Sequence, residues 1–172
     1  MLVQQAIYTS CQTSRANGYQ LAASLGHGHV ATTPAPAPLL ANADRSISGV
    51  SHAASMVLRR NRHPPLRLEG AMLWTHFGVS GPLALNVSRH WERAQLAGEE
   101  PSLLLNVMPG ETFESAEAWF LAQQQLRPRA QVSTVVGGRV PGAIPGVWCT
   151  AAGIGTDTTM AHVSRDQRRH RL

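Results

Sequence analysis

Tyr19, Leu21, Ala22 and Leu25 fall at near-helical spacing, so residues 18–27 predict a helix, and Gly26 supplies its stop. Beyond it Pro34, Pro36 and Pro38 alternate through 31–40. Helix is forbidden there, which leaves extended chain, as an edge strand or a polyproline-like crossing between domains. Short apolar runs then alternate with turns. They predict strands at 48–50, 54–59 and, after Pro64-Pro65, 66–73, as a small barrel or sandwich requires. Ser80 reads as the N-cap of a helix that opens at Gly81-Pro82, carries Leu83, Leu85, Val87 and Trp91, and stops at Gly98. Residues 102–108 are apolar enough for a buried strand closed by Pro109-Gly110. Everything after Glu111 looks helical. A helix over 114–126 has Ala118, Phe120, Leu121 and Leu126 as its stripe, and a weaker segment follows at 130–136. A further helix spans 143–152 despite Pro145 and Gly146, and Ser164 caps a last one over 165–172. The pattern predicts an α+β chain: a β-rich, small-barrel or sandwich-like front half over 31–110, then a helical subdomain over 111–172. Residues 1–30 lead into it.

With 172 residues, 43% of them hydrophobic, the chain can supply a core for one ordinary domain or two small ones. Trp74, Trp91, Trp119 and Trp148 are scattered evenly, which favours several packing centres over one. The net charge of +5 comes from 15 basic residues, all Arg, set against 10 acidic ones. These arginines cluster at 59–67 and 165–171 with no interleaved aromatics to stack on bases, which argues against nucleic acid and for a solvated face. Cys11 and Cys149 have no zinc spacing around them, so a reduced thiol state is expected. Without a basic leader or a long apolar run, the sequence predicts a soluble, cytoplasmic protein with no membrane partner.

Candidate chemistry concentrates in residues 70–82, where an apolar strand meets a Gly-rich turn that opens a helix. The free N–H groups and positive dipole end of such a helix can hold an anion or a polarised carbonyl. His76, Ser80 and the amides near Gly81 would converge there. An ordinary serine cap explains the same residues equally well. Ser80 lacks the full G-x-S-x-G elbow of a hydrolase nucleophile. His27 and His29 could share a metal on a strand, but no third ligand lies at suitable spacing, so no metal site is expected. Glu111, Glu114 and Glu117 read as carboxylates favouring the first turn of a helix rather than as a catalytic pair.

The run Leu73-Trp74-Thr75-His76-Phe77-Gly78-Val79-Ser80-Gly81-Pro82 resembles the L-F-T-H-x-G-x-S-G-P signature of the aminoacetone-oxidase-like, FAD-dependent bacterial flavoproteins. Five other segments agree in order. They are Asn17 to His27, Pro34 to Leu39, Ser48 to Ser51, Asn106 to Thr112, and Ala151 to Ile154 with Ser164 to Arg169. The resemblance covers roughly residues 16–172, and six motifs in order are more specific than any one. It implies an oxidoreductase whose Rossmann-like FAD domain is split by an inserted β-barrel and helical domain. This chain would then be the insert, on the substrate side, with 1–30 as a remnant of an FAD-domain strand and helix. Its implied partners are the FAD-binding halves or a small-molecule substrate.

The same resemblance marks His76 and Ser80 as the catalytic candidates, and Ser14, Asn17, Gly18, Tyr19, Gly78 and Gly81 as cofactor-binding candidates. The family's N-terminal glycines, however, fall on Gln5, Ala6, Thr13 and Ala16, and no G-x-G-x-x-G is present. That segment is therefore diverged beyond function, wrongly translated or refolded. The expectation is a truncated flavoprotein piece that does not bind FAD alone and is inactive in isolation. The rival expectations are a stand-alone module binding a protein or small anion, and a degenerate gene product.

Overall fold

The structure, a computed structural model, describes residues 2–3, 17–28, 30, 32, 35–61 and 63–169. Its centre is the hairpin of β3 (Ser51–Arg60) and β4 (His63–Thr75), the two longest strands. Both alternate, with Ala54, Met56 and Leu58 pairing across to Gly70, Leu68 and Leu66 on one face. Arg59, Arg67 and Glu69 stand exposed on the other face, where Ser55 is buried and Val57 half-buried nearer β6. Around the hairpin lie β1 (Leu2–Val3), β2 (Leu39–Leu40), β5 (Gly78–Ser80) and β6 (Ser102–Asn106). The order is β1-β6-β3-β4-β5-β2, antiparallel throughout, and the sheet curls into a half-barrel.

The apolar face is covered by α2 (Gly81–Leu96), which buries Leu83, Ala84, Val87 and Trp91. Gly70 lets this helix approach the sheet, since a Cβ there would sit 3.6 Å from the Leu83 Cβ. The helical back follows as α3 (Phe113–Leu126), α4 (Val132–Gly137), α5 (Ile144–Ala151) and α6 (Arg165–Arg169), while α1 (Asn17–Ser24) precedes the sheet. Met56 and Trp74 under the sheet and Val132, Ile144 and Met160 among the helices belong to one continuous buried cluster. The scattered tryptophans thus anchor one core rather than several: Trp74 and Trp91 are buried in it, and Trp119 and Trp148 pack against it.

The α+β order expected from the pattern is present, and several local expectations change. Residues 48–49 form a turn, not a strand, and Gly49 has φ +89°. The first helix spans Asn17–Ser24, and Gly26 ends it with φ +83°. On α3 the buried residues are Ala116 and Phe120, whereas Ala118 is exposed and Leu121 and Leu126 stand 41% and 73% exposed. Four positions, not one or six, separate the residues that face the core.

Candidate functional site

The strand-turn-helix expected at 70–82 is a hairpin followed by a helix. Thr75 pairs with Gly78, so His76 and Phe77 form the tight turn, and three residues of β5 intervene before α2. His76 is exposed at that tip, with its ring edge-on to Phe77 at 4.8 Å between centroids. Ser80 lies opposite Leu73, at the far end of β5 from the tip. The register therefore places His76 and Ser80 at opposite ends of a short strand, with no convergence at the helix start. Ser80 does occupy the N-cap position of α2, but its side chain makes no capping hydrogen bond, unlike the expected cap.

Gly78 and Gly81 are glycines because their own chain presses on them. A Cβ on Gly78, at φ +148°, would lie 2.2 Å from the Leu39 carbonyl oxygen and 2.5 Å from the Ala41 nitrogen. On Gly81, at φ +85°, it would lie 3.0 Å from the Leu73 nitrogen and 3.2 Å from the Ala71 oxygen. These glycines admit β2 and β4 at close range, where a side chain would collide with backbone. Gly18 and Tyr19 sit on α1, and Gly18 has nothing within 4 Å while Tyr19 is 54% exposed. Asn17 opens that helix; Ser14 lies outside the described residues, as do Cys11, His29 and the positions 5, 6, 13 and 16. Gly26 and Gly28 follow a helix instead of a strand, so they do not make the strand-turn-helix that brings amides to a pyrophosphate. The space beside Gly78 and Gly81 is thus taken by backbone of the same chain, and no described residue walls the space beside Gly18, so none of these three glycines forms a cradle for an FAD.

Two arrangements carry no signal in the sequence. The first is His52, whose Nδ1–H donates to the Ala53 carbonyl at 2.7 Å while its Nε2 accepts from the Trp74 indole N–H at 3.0 Å. Both ring nitrogens are engaged, which fixes one neutral tautomer. Trp74 can be 1% exposed only because this acceptor satisfies its N–H.

The second is centred on Glu111, which the sequence placed in a helical first turn. It instead precedes the cap Thr112, takes the Ser115 hydroxyl and the Arg139 guanidinium on its carboxylate, and lies 2.7 Å from the latter. The Ser115 bond and then the Arg139 bond hold its carboxyl below the usual range. Arg139 also covers the Trp119 ring at 4.6 Å. His52, Pro109, Glu111, Arg139 and Pro141 border an open cleft of about 340 Å³. Glu117, likewise, faces Arg168 at 3.5 Å. Only long-range folding brings residues 111 and 139 together, so spacing could not reveal the pair. Among the described residues, no group of three or more His, Cys, Asp or Glu could hold a metal. None of their helices is long and apolar enough to cross a membrane.

No curated protein matches the chain. The family model of the HI0933-like protein barrel and H2TH domain matches residues 33–171, which takes in the sheet from β2 to β6 and all the helices after it. A curled antiparallel sheet with helices behind it is the architecture that this description names. The chain belongs to the HI0933-like family of FAD-dependent oxidoreductases, whose barrel and H2TH domain it carries.

Proposed function

We propose that residues 33–171 act as the substrate-side insert of a flavin-dependent oxidoreductase resembling the aminoacetone oxidases, with the dinucleotide held by a different part of the enzyme. The observation that carries this reading is the family match over 33–171. It is supported by the packing of Gly78 and Gly81, whose missing side chains make room for neighbouring strands of the same chain. In such an arrangement the flavin supplies hydride chemistry, and this domain shapes the cavity. His76 and Phe77 are exposed together at the hairpin tip, and in this reading they would meet the substrate. Tyr19, Leu21 and Leu25 on α1 are exposed and offer an apolar surface for the flavin-binding part.

A chimera tests the reading. Residues 33–171 would replace the corresponding domain of an intact family enzyme, and bound flavin and substrate-dependent flavin reduction would be measured. The chimera is expected to retain FAD and turn over. His76→Ala should then raise KM about tenfold, the loss of one good hydrogen bond, without bleaching the flavin band. A chimera that loses FAD while remaining folded would contradict the proposal.

A further inference from the structure

Between the sheet and the helical back lies a cavity of about 320 Å³. Val57 and Leu104 wall it on the sheet side, Phe113 and Trp119 on α3, and Val147 and Trp148 on α5. An enclosed apolar cavity of about 150 Å³ stays dry and takes up benzene, and this partly open one has about twice that volume.

Most polar groups at its margin are hydrogen-bonded within the protein; the exception is the buried Arg168 Nε, which has no hydrogen bond but lies 3.5 Å from the Glu117 carboxylate. Asn106 accepts from the Met108 amide at 2.9 Å and donates to the Glu111 carbonyl at 3.0 Å. Gln167 accepts from the Ser164 amide at 3.0 Å and donates to the Gly153 carbonyl at 2.9 Å. Arg168 reaches Gln124 at 3.2 Å and Glu117 at 3.5 Å. Glu111 is held by Ser115 and Arg139, and Thr112 caps α3. A water molecule needs two to four polar partners, and an anion moved here would lose its hydration for little in return, because the Arg168 charge is already paired with Glu117.

We propose that this cavity is a binding site for a neutral, apolar small molecule of roughly two aromatic rings, the size set by the benzene comparison. Both the partially exposed Phe113, 39% accessible, and the buried Cys149 line it. The proposal does not depend on the flavin reading, since no wall residue is among the flavin or substrate candidates.

The probe is N-phenyl-1-naphthylamine, a neutral compound whose emission rises in apolar surroundings, titrated into the full chain. Saturable binding at one probe per chain is expected, with energy transfer from tryptophan. The anionic 1-anilinonaphthalene-8-sulfonate should bind at least about tenfold more weakly, because its sulfonate finds no partner. Ala152→Trp, which fills the cavity, should weaken the neutral probe by about tenfold or more. The double variant Leu21→Ser/Leu25→Ser should leave binding unchanged.

Equal affinity for both probes, or binding lost in the α1 double variant, would overturn the site. So would probe binding that weakens as protein concentration rises, the sign of a second copy covering the mouth. Should Ala152→Trp fail to fold, a Cys11→Ser chain decides through Cys149. Its alkylation should slow several-fold with the probe present, and an unchanged rate would refute the proposal.

Discussion

A single methyl group at position 78 would have to share space with two backbone atoms of the neighbouring strand, at 2.2 and 2.5 Å. Neither atom can rotate away, so Gly78→Ala should cost about 3 kcal/mol or more and release β2 from the sheet edge, measured by urea unfolding. At Gly18, where nothing lies within 4 Å, the same change to alanine should leave the unfolding midpoint of the core unaltered. The sequence shows both as glycines in family-like motifs and cannot tell them apart; the difference lies in which strand passes beside them. His52→Ala removes the acceptor of the buried Trp74 N–H and should cost about 2 kcal/mol, with a shift in tryptophan emission. His52 escaped notice because its partner stands 22 positions away on the next strand. His76, in contrast, stood out as a polar residue in an apolar run, and the fold leaves it exposed at a turn.

Helix positions were legible where a punctuating residue carries the signal itself. Gly98 ends α2 with φ +71°, and Ser164 and Gln167 cap α6 reciprocally at 3.1 and 3.0 Å. The start of α3 was read from its acids, but its cap is Thr112, which accepts from the Ser115 amide at 3.2 Å inside a capping box. Thr112→Ala should therefore cost about 1 kcal/mol in a chemical denaturation curve. Lowering pH should also loosen this end. The carboxyl of Glu111 titrates lower in the folded chain than in the unfolded one, so the stability it lends is present above the unfolded value and lost as pH falls through the folded one.

Glu92, on α2, has the opposite sign. Burial raises its carboxyl above the usual range, so the folded chain binds more protons and stability falls as pH rises through that window. Glu92→Gln should raise the urea midpoint at pH 7, and the gain should vanish below about pH 4, where the carboxyl is protonated in both states. The face of α3 was misjudged because its apolar residues outnumber its buried ones. Leu121 and Leu126 are exposed, and no periodicity in an apolar-rich helix marks which side the core lies on.

At the scale of the molecule, the β-rich front and helical back could be read from the change of period near Glu111, and the order of weak motifs pointed to the flavoprotein family. The joining of both halves into one core could not, because it depends on contacts such as those that put Ile144 and Met160 in the same cluster as Trp74. Nor could the cavity between sheet and helices, whose walls come from segments 90 residues apart in sequence, from Val57 to Val147. What unites these observations is a barrel and helical domain organised around its own core, with Gly78 and Gly81 committed to strand packing.

The most direct measurement is an FAD titration of the purified chain, followed by desalting and an absorbance spectrum of the protein fraction. Protein without a flavin band is the predicted result, since the described glycines at 78 and 81 face backbone. A stoichiometric yellow complex that survives desalting would contradict the account.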